Sequence, residues 1–217
     1  MTDTLAALER LDEITRRLRR ECPWDREQDE RSIVPHTVEE AYELADAANS
    51  GDDAKLLDEL GDVLFQVYFL SLLMEERGQG DLAAVAEHVH GKLVRRHPHV
   101  FGEVEAGSAG EVLRNWDEIK REEEGDGLFG DLPESLPGTI YARKVQRRAE
   151  RAGQAPAPAV AEAERRLSAA RSRAERFDAA GDLLFAAVDA ARQAGADPEL
   201  ALRAAADRVR ARAEAEQ

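Results

Sequence analysis

Apolar positions recur three and four residues apart along most of the chain, the spacing that gathers them on one face of a helix. Leu5, Leu8, Leu11, Ile14 and Leu18 form one such stripe, and Cys22-Pro23 ends it because the residue before a proline avoids helical torsions. A charged loop is expected next. Pro35 fits the first turn of a second helix, where its missing N–H costs little, and that helix runs to the turn Asn49-Ser50-Gly51-Asp52. A third helix is expected over about 53–77, ending near Gly78. Asp81 caps a fourth that reaches Arg96 before His97-Pro98, and Ser108 caps a fifth running through Glu124. No segment alternates as a strand does, aromatic residues make up 5% of the chain, and β-branched residues are scattered. The pattern predicts an all-α fold, a helical bundle.

Periodicity breaks at 125–138, GDGLFGDLPESLPG, where glycines and prolines read as a linker. A short basic helix, Thr139 to Arg151, and a second break, Gly153 to Pro158, precede an alanine-rich tail. In that tail 23 of the 63 residues from 155 to 217 are alanine, which favours helix but supplies few large core side chains. Its segment Ala179-Ala180-Gly181-Asp182-Leu183-Leu184-Phe185 resembles Glu59-Leu60-Gly61-Asp62-Val63-Leu64-Phe65, and 196–212 loosely resembles 80–96. The expected organisation is a first helical domain at 1–125, a connecting segment at 126–158 containing the basic helix, and a degenerate second helical repeat at 159–217.

Composition narrows the function classes. Of the 217 residues 43% are hydrophobic, enough for a packed core, and the formal charge is -15. Residues 1–125 carry 30 acidic and 15 basic side chains, so the excess lies wholly there. Such a balance argues against stable binding to nucleic acid or to anionic lipid. No apolar run approaches the roughly 18 residues that cross a bilayer, and MTDTLAALERLDEITRR lacks the order of a secretory signal; a cytoplasmic protein without membrane association is expected. The single cysteine, Cys22, excludes an internal disulfide and a cysteine-cluster zinc site.

Two acidic clusters carry the candidate chemistry. Glu40 and Glu43 lie three apart and Glu39 and Glu43 four apart, and Glu59 and Asp62 repeat the three-residue relation on the next helix. Such strings are common on wetted helix faces. Here, however, Asp62 and Gln66 interrupt the apolar run Leu56 to Leu70, which leaves that helix little room for a solvated face, and a carboxylate there needs a partner or a cation. If the two helices pack antiparallel across the short turn, Glu40, Glu43, Glu59 and Asp62 converge and repel unless a cation joins them. Oxygen ligands alone point to Mg²⁺ or Mn²⁺, which are completed by water and substrate phosphates. Downstream, Lys92, Arg95 and Arg96 offer cations to a polyanion, and Trp116 and Lys120 offer a ring and a charge one turn apart.

The order of these blocks resembles the MazG family. The resemblance rests on Cys22-Pro23-Trp24-Asp25-x-x-Gln28, E-E-x-x-E at 39–43, E-x-x-D at 59–62, Lys92-Leu93-Val94-Arg95-Arg96-His97-Pro98-His99-Val100-Phe101 and Asn115-Trp116-x-x-Ile119-Lys120. It covers roughly residues 5–124. It implies an all-α pyrophosphohydrolase that cleaves nucleoside triphosphates to monophosphate and pyrophosphate with Mg²⁺. It further implies Glu40, Glu43, Glu59 and Asp62 as metal ligands and Glu39 as a helper or base at the attacking water. Lys92, Arg95, Arg96 and His36 would hold phosphates, and Trp116 and Lys120 would contact the nucleotide. The tail lacks these acids, which marks it as structural or as a dimerisation surface. Apolar faces at Val63, Val67 and Leu70 exceed what one short bundle covers, so a homodimer is expected. The competing reading is a non-catalytic helical module that senses nucleotide or binds a protein partner; the complete ligand set at 39–62 favours the enzyme.

Overall fold

The computed structural model describes residues 3–124, 129, 132–133, 135–155 and 157–216, and the chain divides into two units, Met1–Val112 and Leu113–Gln217. Among the described residues every regular element is a helix, and no helix is long and apolar enough to cross a membrane.

The first unit begins with α1 (Thr4–Glu21), which Cys22 ends in extended backbone, its N–H donating to the Leu18 carbonyl. The next segment is not the loop the sequence predicts. A one-turn helix α2 (Pro23–Glu27) fills it, and α3 (Glu30–Ser50) starts five residues before Pro35. The cause is a reciprocal cap: Asp29 accepts from the Ser32 N–H (2.8 Å) while Ser32 accepts from the Asp29 N–H (2.9 Å). Pro35 therefore sits inside the helix, where it cannot donate to the Arg31 carbonyl. Gly51 takes the left-handed conformation (φ 70°), and Asp52 caps α4 (Asp53–Glu76) through the Ala54 and Lys55 N–H groups. The two long helices fold back on one another.

Ile33, Phe69 and Leu73, with Phe65 and Leu70 against them, form the core where α3 meets α4. Gln66 is buried there and accepts from Thr37 Oγ1 at 3.4 Å. Arg16 binds Glu75 and Arg19 binds Glu76, each through two nitrogens, clamping α1 to the end of α4; Arg19 also holds the Asp25 and Gln28 carbonyls. After Asp81, which caps it as predicted, α5 (Leu82–Arg96) packs on α4, and Pro98 begins the short α6 (Pro98–Phe101). In contrast to the expectation from sequence, α4 does have an open face: Leu57, Leu60, Leu64 and Val67 are exposed, Leu57 at 75%. They recur at three- and four-residue spacing, and Asp62, on the opposite side of the helix, is exposed too.

Helix α7 (Ala109–Glu124) begins in the first unit and continues into the second. There α8 (Gly138–Arg151) packs on α10 (Arg173–Gln193) and α11 (Pro198–Ala215), and α9 (Val160–Ala169) folds back on α10. Ala163, Ala179 and Ala186 are buried in this unit, and Gln146 is fully enclosed, donating to the Phe185 carbonyl at 2.6 Å. Glu150 on α8 binds Arg192 on α10, which also takes Asp189. Phe177 (80%) and Leu184 (69%), seven residues apart, are exposed on α10.

Candidate active site

The fold brings the acidic motifs of α3 and α4 together. Oxygen atoms of Glu40, Glu43 and Glu59 all lie within 4.8 Å of one another. The convergence follows from the sequence: Glu40 and Glu43 share a face of α3, and the tight Gly51-Asp52 turn returns α4 alongside it with Glu59 one turn from Asp62. Glu40 and Glu59 are half-buried and Glu43 is exposed. Asp62 stands outside the tight triad, yet its charge acts on both Glu40 and Glu59.

Electrostatically the cluster is strained. Withdrawal from water, and then repulsion by Asp62, Glu43, Glu59 and Glu39, push the Glu40 carboxyl above the ordinary carboxylate range. Desolvation, followed by Glu43, Asp62 and Asp58, does the same to Glu59. Every charge acting on these two groups is another carboxylate. Moreover, Glu59 Oε2 is closed off from solvent with no hydrogen-bond partner among the described residues. An orphaned carboxylate oxygen inside an all-oxygen donor set fits a hard divalent cation, because the cation would supply the missing partner and cancel the repulsion. No Cys or His joins the set, which separates it from a zinc site.

The remaining sequence-predicted residues distribute as follows. Glu39 is exposed on α3, and His36 Nδ1 lies 3.3 Å from its Oε2, so His36 faces a carboxylate one turn along its own helix. Lys92, Arg95 and Arg96 lie on α5, packed against α4; Arg96 is buried, Lys92 half-buried and Arg95 exposed. Trp116 and Lys120 lie on the part of α7 that belongs to the second unit, with the Lys120 ammonium 5.9 Å from the centroid of the Trp116 ring.

Two participants were not predicted. Asp58 adds negative charge at Glu59, a contribution visible in sequence only as adjacency. Trp24, half-exposed, meets the His36 ring edge-on (5.9 Å between centroids, planes at 65°). That contact depends on the angle between α2 and α3, for which no periodic signal exists.

Comparison with known proteins places this geometry. The MazG nucleotide pyrophosphohydrolase domain matches residues 28–101, which hold the triad and the α5 cations. The chain is 37% identical over 223 residues to a nucleoside triphosphate pyrophosphohydrolase of Escherichia coli K12, covering 94% of this chain and 85% of the relative. It is 36% identical over 193 residues to the nucleoside triphosphate pyrophosphohydrolase/pyrophosphatase MazG of Thermotoga maritima, covering 85% and 74%. Among solved structures, a mazG-related protein from Thermotoga maritima aligns with TM-score 0.45 and 30% identity over 52% of this chain and 97% of the other.

Proposed function

The chain belongs to the MazG family of nucleotide pyrophosphohydrolases and is an enzyme, and from that premise we propose that it hydrolyses nucleoside triphosphates to monophosphate and pyrophosphate in a Mg²⁺-dependent reaction. The observation that carries the reading is the carboxylate triad with its orphaned Glu59 oxygen. Glu40, Glu43 and Glu59, with Asp62 beside them, would hold the ion. Bound there, Mg²⁺ or Mn²⁺ would neutralise triphosphate oxygens and polarise the attacking water.

The chain's own groups do the rest. Water adds as the anhydride link between the α and β phosphorus breaks, and Glu39, whose Oε2 lies 3.3 Å from His36 Nδ1, would take the water's proton. Lys92, Arg95 and Arg96 supply positive charge for the phosphates from α5. Trp116 and Lys120 contact the nucleotide on the strength of the motif Asn115-Trp116-x-x-Ile119-Lys120. Residues 159–217 read as a degenerate, structural repeat. The exposed stripe Leu57, Leu60, Leu64 and Val67 supports a homodimer, and the reaction fits cleaning of the cytoplasmic nucleotide pool.

The test is hydrolysis across a panel of NTPs and dNTPs with Mg²⁺ and Mn²⁺, reading pyrophosphate against orthophosphate. Cation-dependent pyrophosphate release that Glu40→Gln and Asp62→Asn abolish is the expected result. Wild-type-like turnover in both folded variants would falsify the site, and nucleotide binding without any turnover would favour a sensing module.

A further inference from the structure

The chemistry above makes no use of Trp24. Its ring is 51% exposed, yet the five-residue helix that carries it is held on several sides. Arg19 of α1, already bound to Glu76 of α4, donates to the Asp25 and Gln28 carbonyls, Gln28 Nε2 donates to the Trp24 carbonyl at 2.8 Å, and Asp25 is buried. The backbone beneath the ring is therefore fixed while a large apolar surface stays in water.

His36, Glu39, Glu40 and Glu43 stand at i, i+3, i+4 and i+7 on α3 and so share one stripe. Trp24 meets that stripe at its N-terminal end. Its ring lies edge-on to His36, 5.9 Å between centroids, and His36 Nδ1 lies 3.3 Å from Glu39 Oε2. Glu40 and Glu43, two of the triad, follow on the same stripe, and all of these residues belong to the first unit. A nucleotide whose phosphates are held at the triad must place its base beyond them, and along α3 the stripe ends on the Trp24 ring. Arg26 and Glu27, its neighbours on α2, and His36 are exposed and polar, so the ring is not part of a broad apolar patch. A single flat apolar surface with a polar rim suits a flat ligand that is polar at its edges. A nucleobase is such a ligand, and stacking asks nothing of its hydrogen-bonding edge.

We infer that Trp24 is a stacking platform for the base of the nucleotide bound at the carboxylate triad. The platform is base-tolerant, because purines and pyrimidines both present a π face. It adds a contact from the first unit to the one that the motif Asn115-Trp116-x-x-Ile119-Lys120 assigns to Trp116. The inference rests on the pyrophosphohydrolase reading for the position of the phosphates.

Calorimetric titration in Mg²⁺ tests it with two ligands: α,β-methylene-ATP, in which carbon replaces the bridging oxygen, and inorganic tripolyphosphate, which has the phosphates without a base. Trp24→Ala is expected to weaken the nucleotide analogue about 5-fold or more and to leave tripolyphosphate within about 2-fold of wild type. Trp24→Phe, which keeps a ring, should recover most of the loss, and α,β-methylene-UTP should show a loss of the same kind. Circular dichroism checks the fold of both variants. A measurement that leaves Trp24 in place supplies a second arm: the chain has two tryptophans, so in a Trp116→Phe background the emission reports Trp24 alone. The analogue is expected to quench it saturably, and tripolyphosphate is not. An equal loss for both ligands would mean that Trp24 only supports α3 and overturns the inference, as do an unchanged affinity for the analogue and an analogue that wild type does not bind. The two readings fail separately: ATP turnover with no selective loss removes the platform alone, and a selective loss without ATP turnover removes the proposed hydrolysis alone.

Discussion

The helix pairs α3–α4 and α9–α10 share a plan and differ at the seam. In the first pair Glu40, Glu43 and Glu59 face one another within 4.8 Å, partly drained of water and mutually repelling. In the second, Ala179 stands where the motif of the first has Glu59, Ala163 and Ala179 are buried, and the Asp182 of the shared Gly-Asp dipeptide binds Arg166 at 2.6 Å. On the proposed reading the first seam would be completed by a cation from outside, whereas the second carries its own, on the Arg166 guanidinium. The flanking clamps differ in polarity as well: arginines of α1 grip glutamates of α4, whereas a glutamate of α8 grips an arginine of α10. A helical hairpin of this kind thus tolerates either electrostatic solution, and only the first leaves ligand positions open.

The contrast can be broken most severely at Glu40. Glu40→Gln is expected to cut pyrophosphate release by about 10²- to 10³-fold, the range for losing one group that stabilises transition-state charge, while Asp182→Asn leaves turnover unchanged. Steady-state assays of both proteins test this; a large loss in Asp182→Asn would mean that the second hairpin takes part in the chemistry.

A smaller effect is expected at the open face of α4. Replacing Leu60 by Glu should weaken self-association by about 10- to 100-fold, matching the burial of one leucine, and Phe177→Glu asks the same of α10. Light scattering at micromolar concentration reads the result, and a monomeric wild type would remove the dimer.

Proton linkage separates the two kinds of carboxylate. Glu75, Glu76 and Glu150 have pKa values lowered by their arginine partners, so the stability they contribute is complete above the ordinary carboxylate value and is lost as pH falls through the depressed ones. Glu40 and Glu59 have raised values, so they withhold stability at neutral pH and return it as pH falls through the window between the raised and the ordinary value. Without divalent cation the melting temperature should rise as the pH is lowered from neutral toward the ordinary carboxylate range and fall once the pH drops below that range. At neutral pH, Mg²⁺ at 100 times its Kd should add about 2.7 kcal/mol, a gain absent from Glu59→Gln. A melting curve insensitive to Mg²⁺ would argue against the cation site. The smallest change is expected for Arg166→Ala, about 0–1 kcal/mol of stability and no loss of activity, because that pair is largely exposed.

Much of this was legible in the residue order because its causes are local. The stop at Cys22, the Gly51-Asp52 turn and the Asp81 cap each depend on a few adjacent residues, and the acid triad needed only three-residue spacing and a short turn. Where the reading went wrong, a competing interaction prevailed. The Asp29–Ser32 cap overrode the proline cue at Pro35, at the cost of one helical hydrogen bond. Helix α4 keeps an open apolar stripe because its exposure depends on how one helix rolls about another, which periodicity leaves free.

The buried alanines at 163 and 179 also limit what sequence change can do to this chain. An acid introduced at either position would enter a closed seam and force the helices apart, with overpacking alone costing about 1–3 kcal/mol before any charge is desolvated. Stepwise mutation therefore meets a barrier between the two hairpins: a carboxylate seam cannot be rebuilt in the second one residue at a time, because each intermediate bears the penalty and none yet gains a ligand.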